Sequence, residues 1–243
     1  MKALILAAGQ GTRLRPLTDE RPKCMVEYQG RPLIEYTLDA LSQNQISKVG
    51  VVVGYCASRI AYPGVVKFFN SQFAHTNMVE SLFCAEKFLD DDTIVIYGDI
   101  IFRPDVLSRL IAAPYEISVV IDLKWQELWA KRMEDPLLDA ETLKLNNNGQ
   151  IVELGKKPKS FDDIQGQYIG LFKLRSDAIP RIKAFYHTLD REAEYDGKQF
   201  HQMYMTSFLQ RIADELMPLT AVSIEGGWLE VDSPGDLTVQ NVI

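Results

Sequence analysis

The chain has 243 residues, 47% of them hydrophobic, enough to bury one large core in a single domain. Its 33 Asp and Glu against 26 Lys and Arg leave a net charge of −7, which disfavours a nucleic-acid surface and requires any bound anion to be held by a local basic cluster. The cysteines Cys24, Cys56 and Cys84 are widely spaced without a C-x-x-C pair, and no apolar run reaches the roughly 18 residues of a membrane span. No charged leader precedes a hydrophobic signal region, so a cytoplasmic protein with no membrane and no nucleic-acid partner is expected.

In chain order, the apolar run from Ala3 to Leu6 predicts a buried strand, after which Gly9 and Gly11 let the backbone bend closely around a small ligand. Arg13, Arg15 and Lys23 follow in the same loop. Bare amides beside cations are the chemistry of polyphosphate binding, although a solvated surface loop is the plainer alternative. A dinucleotide turn is excluded because position 14 is Leu and Pro16 and Pro22 would break the required helix; a Walker loop is excluded because no Gly-Lys-Ser/Thr closes the segment.

Helical spacing over residues 32–41 and the valine run over 48–54 predict a helix and a buried strand. Residues 57–73 give no clear pattern and stay unassigned, Pro63 and Gly64 interrupting them. A helix is expected over 77–89 with Asn77 as N-cap and Glu80 completing a near capping box. The strand 93–97 runs into Gly98 and Asp99, where a carboxylate at a strand end is a candidate metal or catalytic group. A helix over 102–112 and a strand over 117–123 precede Trp125 and Trp129, which share a helix face with Arg132. That face suits an ammonium cage, but core packing is the better reading. A hairpin turning at Asn147–Asn148–Gly149 leads into a strand over 151–154, then one over 167–174, helices over 176–189 and 200–216, and strands over 219–224 and 228–231. Asp232 ends the last strand, as a metal ligand or as a helix cap before Ser233–Pro234–Gly235–Asp236, and Glu230 points to the same strand face. His75, His187 and His201 pair with no nucleophile.

LAAGQGTRLRPLT followed by RPKCMVEYQGRPLIEY resembles the N-terminal signature of the sugar-1-phosphate nucleotidyltransferase family. TNMVESLFCA, IYGDIIF, WQELWAKR, DPLLDAETL, GKKPK, GQYIG, YMTSFLQ and GGWLEVDSPGDL resemble the small bacterial cytidylyltransferases acting on phosphocholine, aminoalkylphosphonates or phosphoglutamine, so the resemblance covers nearly the whole chain. It implies an α/β fold with a single Rossmann-like, mixed, mostly parallel sheet flanked by helices, residues 1–120 mainly binding nucleotide and 121–243 mainly binding acceptor. The implied reaction moves CMP from CTP to a small phosphorylated or phosphonylated amine or amino acid, with Mg²⁺ and release of pyrophosphate, in capsule or cell-surface polysaccharide synthesis. A homodimer is compatible with it. The alternatives are a sugar-1-phosphate uridylyl-, thymidylyl- or guanylyltransferase and a non-catalytic nucleotide-binding module.

Carried onto this chain, the resemblance makes Arg13, Lys23, Asp99, Asp232 and Lys157 catalytic, with Asp99 and Asp232 holding the metal. It places Leu6, Ala7, Ala8, Gly9, Gly11, Thr12, Asn77, Met78, Ser81, Tyr97 and Gly98 around the nucleotide, and Glu141, Tyr168, Gly170, Trp228 and Glu230 with Lys157 around the acceptor. Lys156 stands where many sugar-specific relatives have Glu, a departure that favours an acceptor other than a sugar.

Overall fold

The apolar run at the start of the chain is a strand, Lys2–Ala7 (β1), buried at every position in the computed structural model, which describes residues 1–241 and 243. The chain continues through Leu33–Gln43 (α1), Val49–Val53 (β2), Val65–Phe69 (β3), Met78–Cys84 (α2), Thr93–Tyr97 (β4), Ile100–Phe102 (β5), Pro104–Ala112 (α3) and Ile117–Asp122 (β6). Then follow Trp125–Arg132 (α4), Leu143–Leu145 (β7), Ile151–Leu154 (β8), Gln167–Leu174 (β9), Ile179–Thr188 (α5), Met205–Glu215 (α6), Thr220–Ile224 (β10) and Trp228–Glu230 (β11).

Seven strands form one sheet in the order β10-β6-β9-β4-β1-β2-β3. All neighbours are parallel except β9, which runs antiparallel to β4 and β6, so the sheet is mixed and mostly parallel. Because helices cover both faces, β1 has no polar side: Ala3, Ile5 and Ala7 enter a core with Leu33 and Leu41 of α1 and Leu107 of α3. Leu4 and Leu6 enter a second core with Val79 and Leu82 of α2, Ile182 of α5 and Phe208 of α6. From β1 the chain moves outward to β2 on one side, and β4 lies on the other, which makes the carboxyl ends of β1 and β4 a topological switch point.

Tertiary contacts override several sequence expectations. The helix expected over 77–89 ends at Cys84, because the chain turns at Ala85 to bring Phe88 to 5.2 Å from Phe68 and to bury Leu89. The helix expected over 200–216 is a short 3₁₀ turn, Phe200–Gln202, and then α6; extended Met203 and Tyr204 between them leave His201 and Gln202 carbonyls to accept from Asn77. Phe102 is a strand residue, so α3 starts at Pro104. The unassigned 57–73 segment contains the edge strand β3, whose Val66 and Phe69 remain exposed and so carry no burial pattern. The last strand is not in the main sheet: β11 pairs antiparallel with β5 in a separate ribbon.

Candidate active site

Two cavities open side by side at the carboxyl ends of β1 and β4, and Asn77, Met78 and Tyr97 line both. The inner one, about 150 Å³, is walled by Leu6, Ala7, Ala8 and Gly9 at the end of β1 and just beyond it and by Gly98 and Asp99 after β4. Ser81 of α2 faces it, together with Phe73 and Thr76 from the segment before the helix and Lys23 and Cys24 from the first loop. Gly11 adopts φ 68°, and a Cβ there would lie 2.9 Å from Cβ of Lys23, so the glycine makes room for the lysine stem to pass under the loop. The buried Thr18 hydroxyl pins that turn by donating to the Gly11 carbonyl at 2.8 Å.

Lys23 reaches the junction of the cavities, its Nζ 2.7 Å from Asp99 Oδ2 and 2.6 Å from Asp232 Oδ1. Burial opposes its charge, but Asp99, Glu230 and Asp232 more than offset burial and raise its pKa above the ordinary lysine value, so it stays cationic. Asp232 follows a ribbon strand rather than a sheet strand, and reaches Asp99 because Val231 N–H donates to the Asp99 carbonyl at 3.0 Å. It is not the helix cap. Ser233 is, in a capping box with Asp236, whose Oδ2 also accepts from Asp232 N–H at 2.9 Å.

Asp99 Oδ1 is buried with no hydrogen-bond partner among the described residues. A divalent cation of the Mg²⁺ type takes one or two carboxylates and completes its shell with phosphate and water oxygens, and the converging Asp99 and Asp232 fit that requirement. Among the described residues no three His, Cys, Asp or Glu side chains form an all-protein cage.

The outer cavity, about 200 Å³, is built from side chains of distant segments. Its floor is Tyr168 and Gly170 of β9, where the register with β6 shifts; Gly170 has φ 79°, and a Cβ there would stand 2.5 Å from the Tyr97 ring. Tyr97 and Tyr168 meet edge to face at 5.7 Å, and the Tyr168 hydroxyl is buried without a partner among the described residues. Trp129 and Trp228, 5.9 Å apart, form a wall, their indole N–H groups donating to Asp139 at 3.1 Å and to buried Asp122 at 2.8 Å. The core expectation holds for Trp125, while Trp129 is both core and cavity lining.

Four carboxylates, Asp139, Glu141, Glu230 and Asp232, and one cation, Arg13, face this cavity. Arg13 is paired with Asp232, and the buried Arg132 holds Glu230 at 3.3 Å and Asp236 at 2.7 Å. Burial, then the charge of Asp99, pushes Glu230 up to about 7. The Glu141 carboxylate has no partner among the described residues; its backbone is braced by the Gln167 amide, and burial, followed by the charges of Asp139 and Asp196, pushes it up to about 7.

Most of the expected residues therefore converge. Gly11 and exposed Thr12 line neither cavity, and Arg13 lies on the outer one rather than with the loop amides. Lys157 is also away from both, because its ammonium is satisfied by the carbonyls of Leu137 and Leu138 in the 3₁₀ turn Pro136–Leu138. Asn77 caps α2 through Met78 N–H and lines both cavities, whereas Glu80 accepts from Tyr186 at 2.6 Å and closes no capping box. Sequence reasoning assigned no role to Phe73, Thr76, Asp139, Gln167 and the 204–206 segment, although all but Phe73 lie inside segments that carry the family resemblance; Trp129 stood out by its helical pairing with Trp125.

Residues 3–186 match the model of the MobA-like NTP transferase domain family. Over 99% of each chain the sequence is 45% identical to the CTP:phosphoglutamine cytidylyltransferase of Campylobacter jejuni subsp. jejuni serotype O:2. The CTP:phosphocholine cytidylyltransferase structure from Streptococcus pneumoniae superposes with a TM-score of 0.73 at 24% identity, over 97% of this chain and 95% of that one. The inositol-1-phosphate CTP transferase structure from T. maritima gives 0.72 at 21%, over 97% and 90%. At such identities the superpositions establish the fold.

Proposed function

The chain belongs to the MobA-like NTP transferase domain family, and from that membership we propose a cytidylyltransferase that moves CMP from CTP to a small phosphorylated amine or amino acid, phosphoglutamine-like in structure. The observation that carries this reading is the junction itself. One cationic side chain, Lys23, and two carboxylates stand between a cavity walled by strand-end backbone and a cavity walled by acids and indoles.

The acceptor phosphate is already anionic near neutral pH, so no protein nucleophile is needed. One of its oxygens attacks the α-phosphorus of CTP; a new P–O bond forms, the bond from the α-phosphorus to the bridging oxygen breaks, and pyrophosphate leaves with the electron pair. The protein must hold two mutually repelling anions in line and offset charge as it builds on the bridging oxygen. Lys23 supplies a fixed positive charge at the junction, and Arg13 a second at the mouth of the acceptor cavity. Glu141, the carboxylate there without a partner among the described residues, receives the acceptor's ammonium, with the Tyr168 hydroxyl as a further hydrogen-bond donor. Residues before 120 thus hold mainly nucleotide and those after it mainly acceptor.

Nucleotidyltransferases of this family generally use a divalent metal. We take it to be Mg²⁺, held by Asp99 and Asp232; when bound it offsets charge on the triphosphate. A homodimer and a cytoplasmic location belong to the same proposal, and no helix among the described residues is long and apolar enough to cross a membrane.

The test is a matrix of four NTPs against phosphoglutamine, phosphocholine, 2-aminoethylphosphonate and several sugar-1-phosphates, read by pyrophosphate release. The highest kcat/KM is expected for CTP with a phosphorylated amine or amino acid. A higher value for UTP or dTTP with a sugar phosphate would contradict the proposal, and nucleotide binding without turnover across the panel would identify a regulatory module.

A further inference from the structure

We infer that Asn70, which touches neither cavity, sets the hydrogen-bond polarity of the inner one and thereby selects cytosine over uracil. This rests on the inner cavity holding the base. Asn70 follows the edge strand β3 and is only 4% exposed. Its Oδ1 accepts the Gln72 backbone N–H at 2.9 Å, and that fixed donor sets the orientation of the amide. Both N–H groups of Nδ2 are then used, one on Thr76 Oγ1 at 2.9 Å and one on Ser81 Oγ at 3.0 Å.

The two hydroxyls, both on residues that line the cavity, are thereby left with opposite characters. Thr76 already donates its proton to the Gln72 carbonyl at 3.0 Å, so toward the cavity it can only accept. Ser81 also accepts from Asn70, but no acceptor among the described residues takes its proton, so that proton is left to donate toward the cavity. Cytosine presents an amino donor at N4 beside a lone-pair acceptor at N3; uracil presents a carbonyl acceptor at O4 beside an N3–H donor. With Thr76 toward the 4-position and Ser81 toward the 3-position of the base, the pair matches the first edge and opposes the second, and a mismatch leaves buried polar groups unpaired. Backbone groups near Ala7 and Ala8 can add affinity for either pyrimidine, but the Asn70 pair supplies the difference.

The experiment compares kcat/KM for CTP and UTP in the wild type, N70D and N70S, with one acceptor and folding checked by circular dichroism. N70D presents only acceptors, so the Ser81 proton turns away from the base. N70S keeps an oxygen for the Gln72 N–H while deleting the two donors, and it carries the test if N70D does not fold. The expected result is a CTP:UTP ratio at least about tenfold lower in the variants with an unchanged acceptor KM, whereas a loop brace alone would lower both activities together. Wild-type preference for CTP that persists undiminished in both variants overturns this inference alone. Wild-type preference for UTP overturns it together with the assignment of CTP as donor.

Discussion

The two cavities share Asn77, Met78 and Tyr97 but are made by different means. The inner one is built on the small residues and glycines at the carboxyl ends of β1 and β4, locked in register by the main sheet, with Lys23 threaded beneath a glycine turn. The outer one takes its shape from acids and aromatic rings on α4, β9, β11 and the turn before β7, tied together by Asp122, Asp139, Gln167 and Arg132. Strand ends fixed by the sheet suit the part of the reaction that is shared, a nucleoside triphosphate. Side-chain walls can be exchanged without disturbing the sheet, which suits an acceptor that differs between relatives.

The sharpest way to break this division is at the junction, where substitutions should stop chemistry instead of weakening one ligand. Lys23→Met should lower kcat on the order of 100- to 1000-fold per folded molecule, the scale of one preorganised charge at a reacting phosphoryl group. Near-wild-type turnover in the folded variant would remove Lys23 from the mechanism.

Asp99→Asn and Asp232→Asn should each lower metal-supported pyrophosphate release by about 100-fold, with the double variant little worse than either because the two act as a unit. Chelator should abolish turnover and Mg²⁺ restore it. Ser233→Ala is the control that separates site from fold, since losing this N-cap should reduce stability by about 1 kcal/mol while specific activity persists. Additive losses at Asp99 and Asp232 would show that they do not share one ion.

A smaller and more selective effect is expected at Glu141. Glu141→Gln should raise the acceptor KM about tenfold, the loss of one charge-assisted contact. Because burial holds this carboxyl at about 7 instead of its ordinary 4.5, a larger fraction is ionised as pH rises, so wild-type acceptor KM should fall between pH 6 and 8 and the variant's should not. The stability effect has the opposite sign. Between 4.5 and 7 the native protein binds more protons here than the unfolded chain, so this group's contribution falls with rising pH, and Glu141→Gln should gain in Tm relative to wild type from pH 5 to pH 8. A pH-independent difference would place the shift elsewhere.

The smallest effect should come from Lys157→Ala. With its ammonium on the Leu137 and Leu138 carbonyls, the lysine steadies the turn leading to Asp139, and its loss should raise acceptor KM severalfold by loosening that wall. A large fall in kcat with unchanged KM would show that Lys157 reaches the phosphate during turnover.

This contrast also explains what the sequence disclosed. The inner cavity was legible because its parts are short-range: an apolar strand, glycines, a capped helix and a carboxylate at a strand end each announce themselves within ten residues. Its one obscure part, Phe73 to Thr76, follows an edge strand whose exposed Val66 and Phe69 blur the alternation that marks buried strands. The outer cavity was legible only in pieces. Trp129 shows helical pairing with Trp125, but nothing local shows that Asp139 would accept from its indole or that Gln167 would brace Glu141. Asp232 was recognisable as a strand-end acid, yet its approach to Asp99 depends on a ribbon between β5 and β11 that no periodicity could reveal. The helix break at Met203 and Tyr204 follows from a contact with Asn77 more than 120 residues away, beyond any local propensity.

Full two-substrate kinetics on Ser81→Ala and Glu141→Gln test the division of labour most directly. The predicted result is that Ser81→Ala raises KM for CTP and leaves that for the phosphorylated acceptor unchanged, while Glu141→Gln does the reverse. If Glu141→Gln weakened CTP and spared the acceptor, the outer cavity would not be the acceptor site and the account would be contradicted.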